Sequence, residues 1–147
     1  MRSRVLQFDG TFLLVAGAVQ LVLELLGHFT GRGIWGDVFA HSPYTIGWVE
    51  AHGLAVLIGT LLLVVARSDG RRFWHGFALA VHVLLGTANL VFWHSFVTFD
   101  AVPMGIGATI AHGLFVAAQA ACLANRGRWA TVHGGQPGLD STAEVRP

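Results

Sequence analysis

The chain has 147 residues, 54% of them hydrophobic and 12% charged, with a formal net charge of +1. Soluble domains average ~25% charged residues, so this composition leaves too little polar surface for a water-exposed globule and places the chain in a membrane. The near-neutral charge, with basic residues at the ends of apolar runs, excludes nucleic acid as a partner, and the single cysteine, Cys122, excludes an internal disulfide or CxxC redox pair.

Met1 to Phe8 is a short basic lead with Arg2 and Arg4. The apolar run 10–29 that follows has the charged start of a signal peptide, but Gln20 and Glu24 interrupt it and no small-x-small cleavage site comes after it. It reads as the first membrane helix. Residues 30–43 form a loop broken by Gly31, Gly33, Gly36 and Pro43. The second helix, 44–67, is long enough to cross a bilayer core, which takes ~20 residues, yet has Glu50 and His52 inside it. An arginine-rich turn with Arg67, Arg71 and Arg72 leads to a third helix over 73–96, and a short loop containing Asp100 leads to a fourth over 104–125. From 126 to 147 the composition shifts to Gly, Pro, Ser, Thr and charge, which predicts a disordered tail with no core to bury.

The expected fold class is therefore all-α, an integral membrane four-helix bundle over residues 1–125 with a tail at 126–147. Loop arginines set its orientation. Arg2, Arg4, Arg67, Arg71, Arg72, Arg126 and Arg128 fall on the side of the termini and only Arg32 on the other, which predicts both termini in the cytoplasm. All nine basic residues are arginine, a composition that points to a GC-rich bacterium and hence to its cytoplasmic membrane.

Each helical residue rises ~1.5 Å, so depth can be counted from the helix ends. Gln20, Glu24, Glu50, His52, Asn89 and His112 then all lie roughly 7 to 14 Å below the outer boundary, one layer to which every helix contributes. His82 and Gln119 lie in the inner half and read as interhelical hydrogen-bond glue, with His75 at the inner boundary. Steps of three and four put Leu13, Gly17, Gln20, Glu24 and His28 on one face of the first helix, His75, His82, Gly86 and Asn89 on one face of the third, and Gly105, Ala108, His112, Gln119 and Cys122 on one face of the fourth. On the second helix Glu50 and His52 point ~200° apart. Only one can face the bundle; the other meets a partner protomer, headgroups or water.

Burying a carboxylate in an apolar medium is costly unless it is protonated or paired, so Glu24 and Glu50 are the candidate proton donors, and Gln20, Glu24, Glu50, His52, Asn89 and His112 the candidate ligand-binding set. The sequence Ala-His-Gly-Leu occurs at 51–54 and again at 111–114, and the glycine after each histidine leaves room for a flat ligand or a close helix. Two imidazoles at equal depth on parallel helices could also be axial ligands of a haem, or two ligands of a metal.

Gly17-Ala-Val-Gln20-Leu21, together with Glu50-Ala-His-Gly53 and Gly59 before Arg67, resembles the DoxX-like group of small four-helix bacterial membrane proteins, with Gln20 where that group usually has lysine. The resemblance covers the first two helices and the four-span layout. It implies an accessory or redox-linked membrane protein, in some members tied to quinone chemistry. The readings that follow are a protein binding a quinone or other apolar small molecule, a haem b or metal binder using His52 and His112, a structural subunit of a larger membrane complex or homo-oligomer, and a lipid or isoprenoid enzyme protonating through Glu24 or Glu50.

Overall fold

The computed structural model describes residues 2–68 and 71–124, all of whose regular structure is helical. Four long helices, α1 (Arg2–Thr30), α3 (Thr45–Val65), α4 (Arg71–Val91) and α6 (Val102–Ala124), alternate with two short ones in the connections, α2 (Gly36–Phe39) and α5 (Trp93–Thr98). All four long helices have the length and apolarity to cross a membrane. The tail expected at 126–147 lies outside the described residues. The end of the bundle holding α2 and α5 is called the loop end here, and the opposite end, where α1 begins, the terminal end.

α1 is longer than its apolar run suggests, because the basic lead is helical from Arg2. The reason is packing. Leu6 and Asp9, both fully buried, extend the inward stripe of Leu13, Gly17 and Glu24 backwards by steps of three and four. α1 stops at a glycine in the left-handed region, Gly31 (φ 63°), whose N–H closes on the Gly27 carbonyl at 2.8 Å. The third apolar run, expected as one helix over 73–96, breaks at Phe92 and restarts as α5. The break turns Phe96 inward onto Gly105, where a Cβ would come within 2.7 Å of its ring.

The long helices associate as two pairs, α1 with α3 and α4 with α6, and the pairs touch each other far less. Glycine explains how close the first pair is. A Cβ on Gly59 would lie 2.5 Å from the Leu14 nitrogen and 2.7 Å from the Gly10 carbonyl oxygen, and one on Gly17 would lie 3.0 Å from the His52 carbonyl oxygen. Backbones this near require small residues, as is usual between membrane helices. Leu6, Leu13, Leu62, Ala66 and Ala78 form the buried core, with Phe12, Phe77 and Leu85 against it. Outward, each long helix presents a row of exposed apolar side chains, among them Val15, Val19 and Val22 on α1, Leu54, Leu57 and Leu61 on α3, Leu84 on α4, and Ile106, Ile110 and Leu114 on α6. Such a surface suits hydrocarbon and not water.

Gly59→Val should lower the thermal unfolding midpoint in detergent, because backbone cannot yield to the new side chain; overpacking of this kind costs about 1–3 kcal/mol. Gly113→Ala, at a site where a Cβ meets nothing within 4 Å, should leave the midpoint unchanged or slightly raised. Equal losses in both would contradict the glycine-dependent packing of α1 on α3.

Candidate functional site: two acid–imidazole relays on one cavity

A cavity of about 770 Å³ opens between the helix pairs. Gly17, Gln20, Trp48 and His52 line it from the α1/α3 side, and Asn89, Met104, Ala108 and His112 from the α4/α6 side. Its walls are apolar with few polar groups, the usual character of a small-molecule site.

One histidine stands on each side, each with Nδ1 against a polar group of its own helix pair. His52 Nδ1 on α3 lies 2.5 Å from Glu24 Oε1 of α1, a close ion-pair contact without hydrogen-bond alignment, and its ring stacks on Trp48 with centroids 6.2 Å apart. Glu24 is buried, 1% exposed, and its second oxygen, Oε2, has no partner among the described residues. On the other side His112 of α6 meets His82 of α4, Nδ1 to Nδ1 at 2.8 Å, and His82 Nε2 lies 2.7 Å from Oδ1 of Asp9 on α1. The other oxygen of Asp9 accepts from Gln119 Nε2 at 2.5 Å, and Gln119 Oε1 accepts from His75 Nδ1 at 2.5 Å. Asp9, His82 and Gln119 are 0% exposed and His75 is 1% exposed.

Valence fixes how protons can be placed on this chain. With Gln119 turned so that its NH₂ meets Asp9 and its oxygen accepts from the Nδ1–H tautomer of His75, Oδ2 of Asp9 is an acceptor and a mobile proton sits on the Oδ1 side. When Asp9 is a carboxylate, His82 donates from Nε2 and accepts at Nδ1, so His112 donates from Nδ1 and offers a bare Nε2. When one proton is added, Asp9 Oδ1–H donates to His82 Nε2, His82 Nδ1–H donates to His112 Nδ1, and His112 offers Nε2–H. The charge state of an acid deep in the bundle therefore decides whether the cavity meets an acceptor or a donor.

The sequence-derived candidates divide accordingly. Gln20, His52, Asn89 and His112 line the cavity, and Glu24 stands directly behind His52. Asn89 Nδ2 is buried without a partner, and Gln20 Nε2 donates to Met104 Sδ at 3.1 Å. Glu50 is not brought to them: its side of α3 is exposed and turned away from His52. The glycines after the two histidines, Gly53 and Gly113, face open space and make no close helix contact. His82, Gln119 and His75 form the most extended polar network in the bundle, and it reaches the terminal half, so polar chemistry is not confined to the outer layer. Asp9 was not among the candidates. Its signal was one more step of four back along the Leu13, Gly17 stripe, beyond where the apolar run begins.

Among the described residues no three His, Cys, Asp or Glu side chains are grouped so as to hold a metal ion. Comparison with family models, curated proteins and solved structures finds no match to this chain.

Removing one partner of a buried charge pair typically costs 3–5 kcal/mol, so His82→Leu alone should destabilise strongly in a detergent unfolding titration. Asp9→Leu with His82→Leu should cost clearly less than the sum of the single losses. Additive effects would mean that the carboxylate and the imidazole do not stabilise one another.

Proposed function

We propose that this chain is a multi-pass protein of the bacterial cytoplasmic membrane, both termini inside, that binds an apolar ring molecule of the quinone class between its helix pairs and exchanges protons with it. The observation that carries this is the meeting of two separate acid–imidazole relays, Glu24–His52 and Asp9–His82–His112, on opposite walls of one apolar cavity. A quinone needs such an environment: apolar walls for its ring and tail, groups that donate to its carbonyls, and, when a membrane electron-transfer partner adds or removes its two electrons, groups that give or take the accompanying protons. Asn89 Nδ2, a buried donor without a partner, supplies a further hydrogen bond to a carbonyl. His52 and His112 touch the ligand, while Glu24 and Asp9 hold the protons behind them.

Proton exchange is thus assigned to Glu24 and Asp9 and not to Glu50, whose exposed face suits lipid headgroups or a partner protomer. The orientation follows the arginines, with Arg4, Arg67, Arg71 and Arg72 at the terminal end against Arg32 at the loop end. Kinship with the DoxX-like group rests on Gly17, Gln20, Glu50, Gly53 and Gly59; of these, Gly17 and Gly59 have a physical role in the close α1/α3 contact.

A second reading has its own support. Both cavity histidines are held at Nδ1 and present Nε2, the arrangement of metal-ligating imidazoles, so haem b between His52 and His112 is the competing proposal.

Titrating detergent-solubilised protein with a short-chain benzoquinone should quench Trp48 fluorescence saturably. Ala108→Trp, which fills the cavity, should weaken binding at least tenfold, whereas Glu50→Gln should not alter it. Quenching that never saturates, or that ignores Ala108→Trp, would refute the quinone site. A Soret band in the purified protein that shifts on dithionite reduction and is lost in His112→Leu would replace it with haem.

A further inference from the structure

The two relays do not end alike at their far sides. Asp9 lies between Gln119 and His82, both fully buried, beside the core residues Leu6 and Leu13. Beyond it, towards the terminal end, the continuation among the described residues is the Gln119 amide, with its N–H towards Asp9 and its oxygen towards His75. An amide passes a proton onward only by taking one at oxygen while giving one from nitrogen, through the disfavoured imidic acid. The Asp9 relay is therefore closed behind.

Glu24 is open behind. Its unpartnered Oε2 adjoins a second, small cavity of about 20 Å³, lined also by Gln20, Trp35, Val38 and Ala101. This is room for one water, which needs at least ~10–15 Å³. Two lining residues have an acceptor without a protein partner to offer such a water: Glu24 through Oε2, and Gln20, whose Nε2 is engaged by Met104 Sδ, through Oε1. The roof belongs to the loop-end connections, α2 with Trp35 before it and Ala101 after α5, and both Trp35 and Val38 reach the surface in part. His52 forms part of the wall of both cavities.

We propose that the small cavity is a single-water site and makes Glu24 the proton port of the large one, so that the bound ligand exchanges protons with the loop-end face only, while Asp9–His82–His112 is a closed one-proton store. The balance is simple. Starting from Glu24 protonated on Oε1 and His52 on Nε2, His52 releases its Nε2 proton to the ligand, Glu24 gives its Oε1 proton to His52 Nδ1, and the water gives a proton to Glu24 Oε2 and regains one from the solvent at the loop-end face. The store gives its single proton through His82 and His112 and regains it only from the ligand. No other charged or titratable side chain of α1, α3, α6 or the connections lines the small cavity. The inference rests on the reading of these relays as proton carriers, but not on which ligand they serve.

Full-length protein with ¹⁵N-labelled histidine and with the large cavity filled by Ala108→Trp, in lipid nanodiscs, tests it through exchange of the ring N–H protons with water, read by saturation transfer. The Nδ1 proton of His52 should exchange at least tenfold faster than the protons that His75 and His82 donate. Ala101→Leu, which fills the water site without touching the relay, should slow His52 several-fold and leave His82 unchanged; Val38→Phe serves the same purpose if Ala101→Leu does not fold. Equal exchange at His52 and His82 overturns the closed store, and a His52 rate indifferent to the filling variants overturns the water port. Quinone titration of protein without Ala108→Trp is a separate readout, so loss of the ligand reading and loss of the port are distinguishable.

Discussion

The burial of Asp9 is the constraint on which the rest of the bundle depends. A carboxylate with no exposure inside an apolar protein must be neutralised or fully hydrogen-bonded, and Asp9 is met by one residue from α4 and one from α6. It belongs to α1, so these two bonds tie one helix pair to the other. Towards the loop end the pairs meet again where Gln20 donates to Met104 and Trp48 packs edge-on against Phe99, and elsewhere they have little contact. The tie lies beside the leucine core, and the cavity opens between these two joints.

The pairs themselves are held differently. α1 and α3 are joined by glycines that bring backbone to backbone, so that side chains on this seam have little room, and Glu24 with His52 are admitted only beyond Gly17. In the other pair the seam is side chain on side chain. His82 stacks on Phe115 at 4.7 Å and bonds to His112, and a Cβ at Gly86 would meet the His112 Cβ at an ordinary 3.4 Å. The repeated Ala-His-Gly-Leu thus has one shared consequence in two settings: a histidine on the returning helix, anchored at Nδ1 by the outgoing helix of its own pair, with Nε2 left for the cavity.

Much of this was legible in the sequence and the remainder has physical reasons for not being so. The number of long apolar helices and the inward faces of α1, α4 and α6 follow from apolar length and steps of three and four, because the outward rows of these helices are predominantly apolar and the polar residues mark the inward ones. That Glu24, His52, Asn89 and His112 lie near one space followed from equal depth. Which of Glu50 and His52 turns inward did not, since α3 is apolar all round and a residue two positions away is equally plausible until the Gly17 and Gly59 contacts fix its rotation. Asp9 escaped because an acid next to a basic lead reads as the solvated start of a helix; only its distant partners, His82 and Gln119, make it a buried one.

Those partners also decide how the two acids differ in chemistry. Asp9 has both oxygens engaged, Oδ2 by the Gln119 amide and Oδ1 by His82, so the path by which this carboxyl passes a proton towards the cavity is through His82. Glu24 has one oxygen engaged and one without a protein partner, which gives it two ways out. On the proposed function, a ligand between His52 and His112 would face an exchanging acid on one side and a storing acid on the other. With the store empty, His112 would accept, which favours a bound hydroxyl; with the store full it would donate, which favours a bound carbonyl. The protonation of Asp9 and the form of such a ligand would thereby be coupled across two imidazoles, without any movement of the helices that hold them.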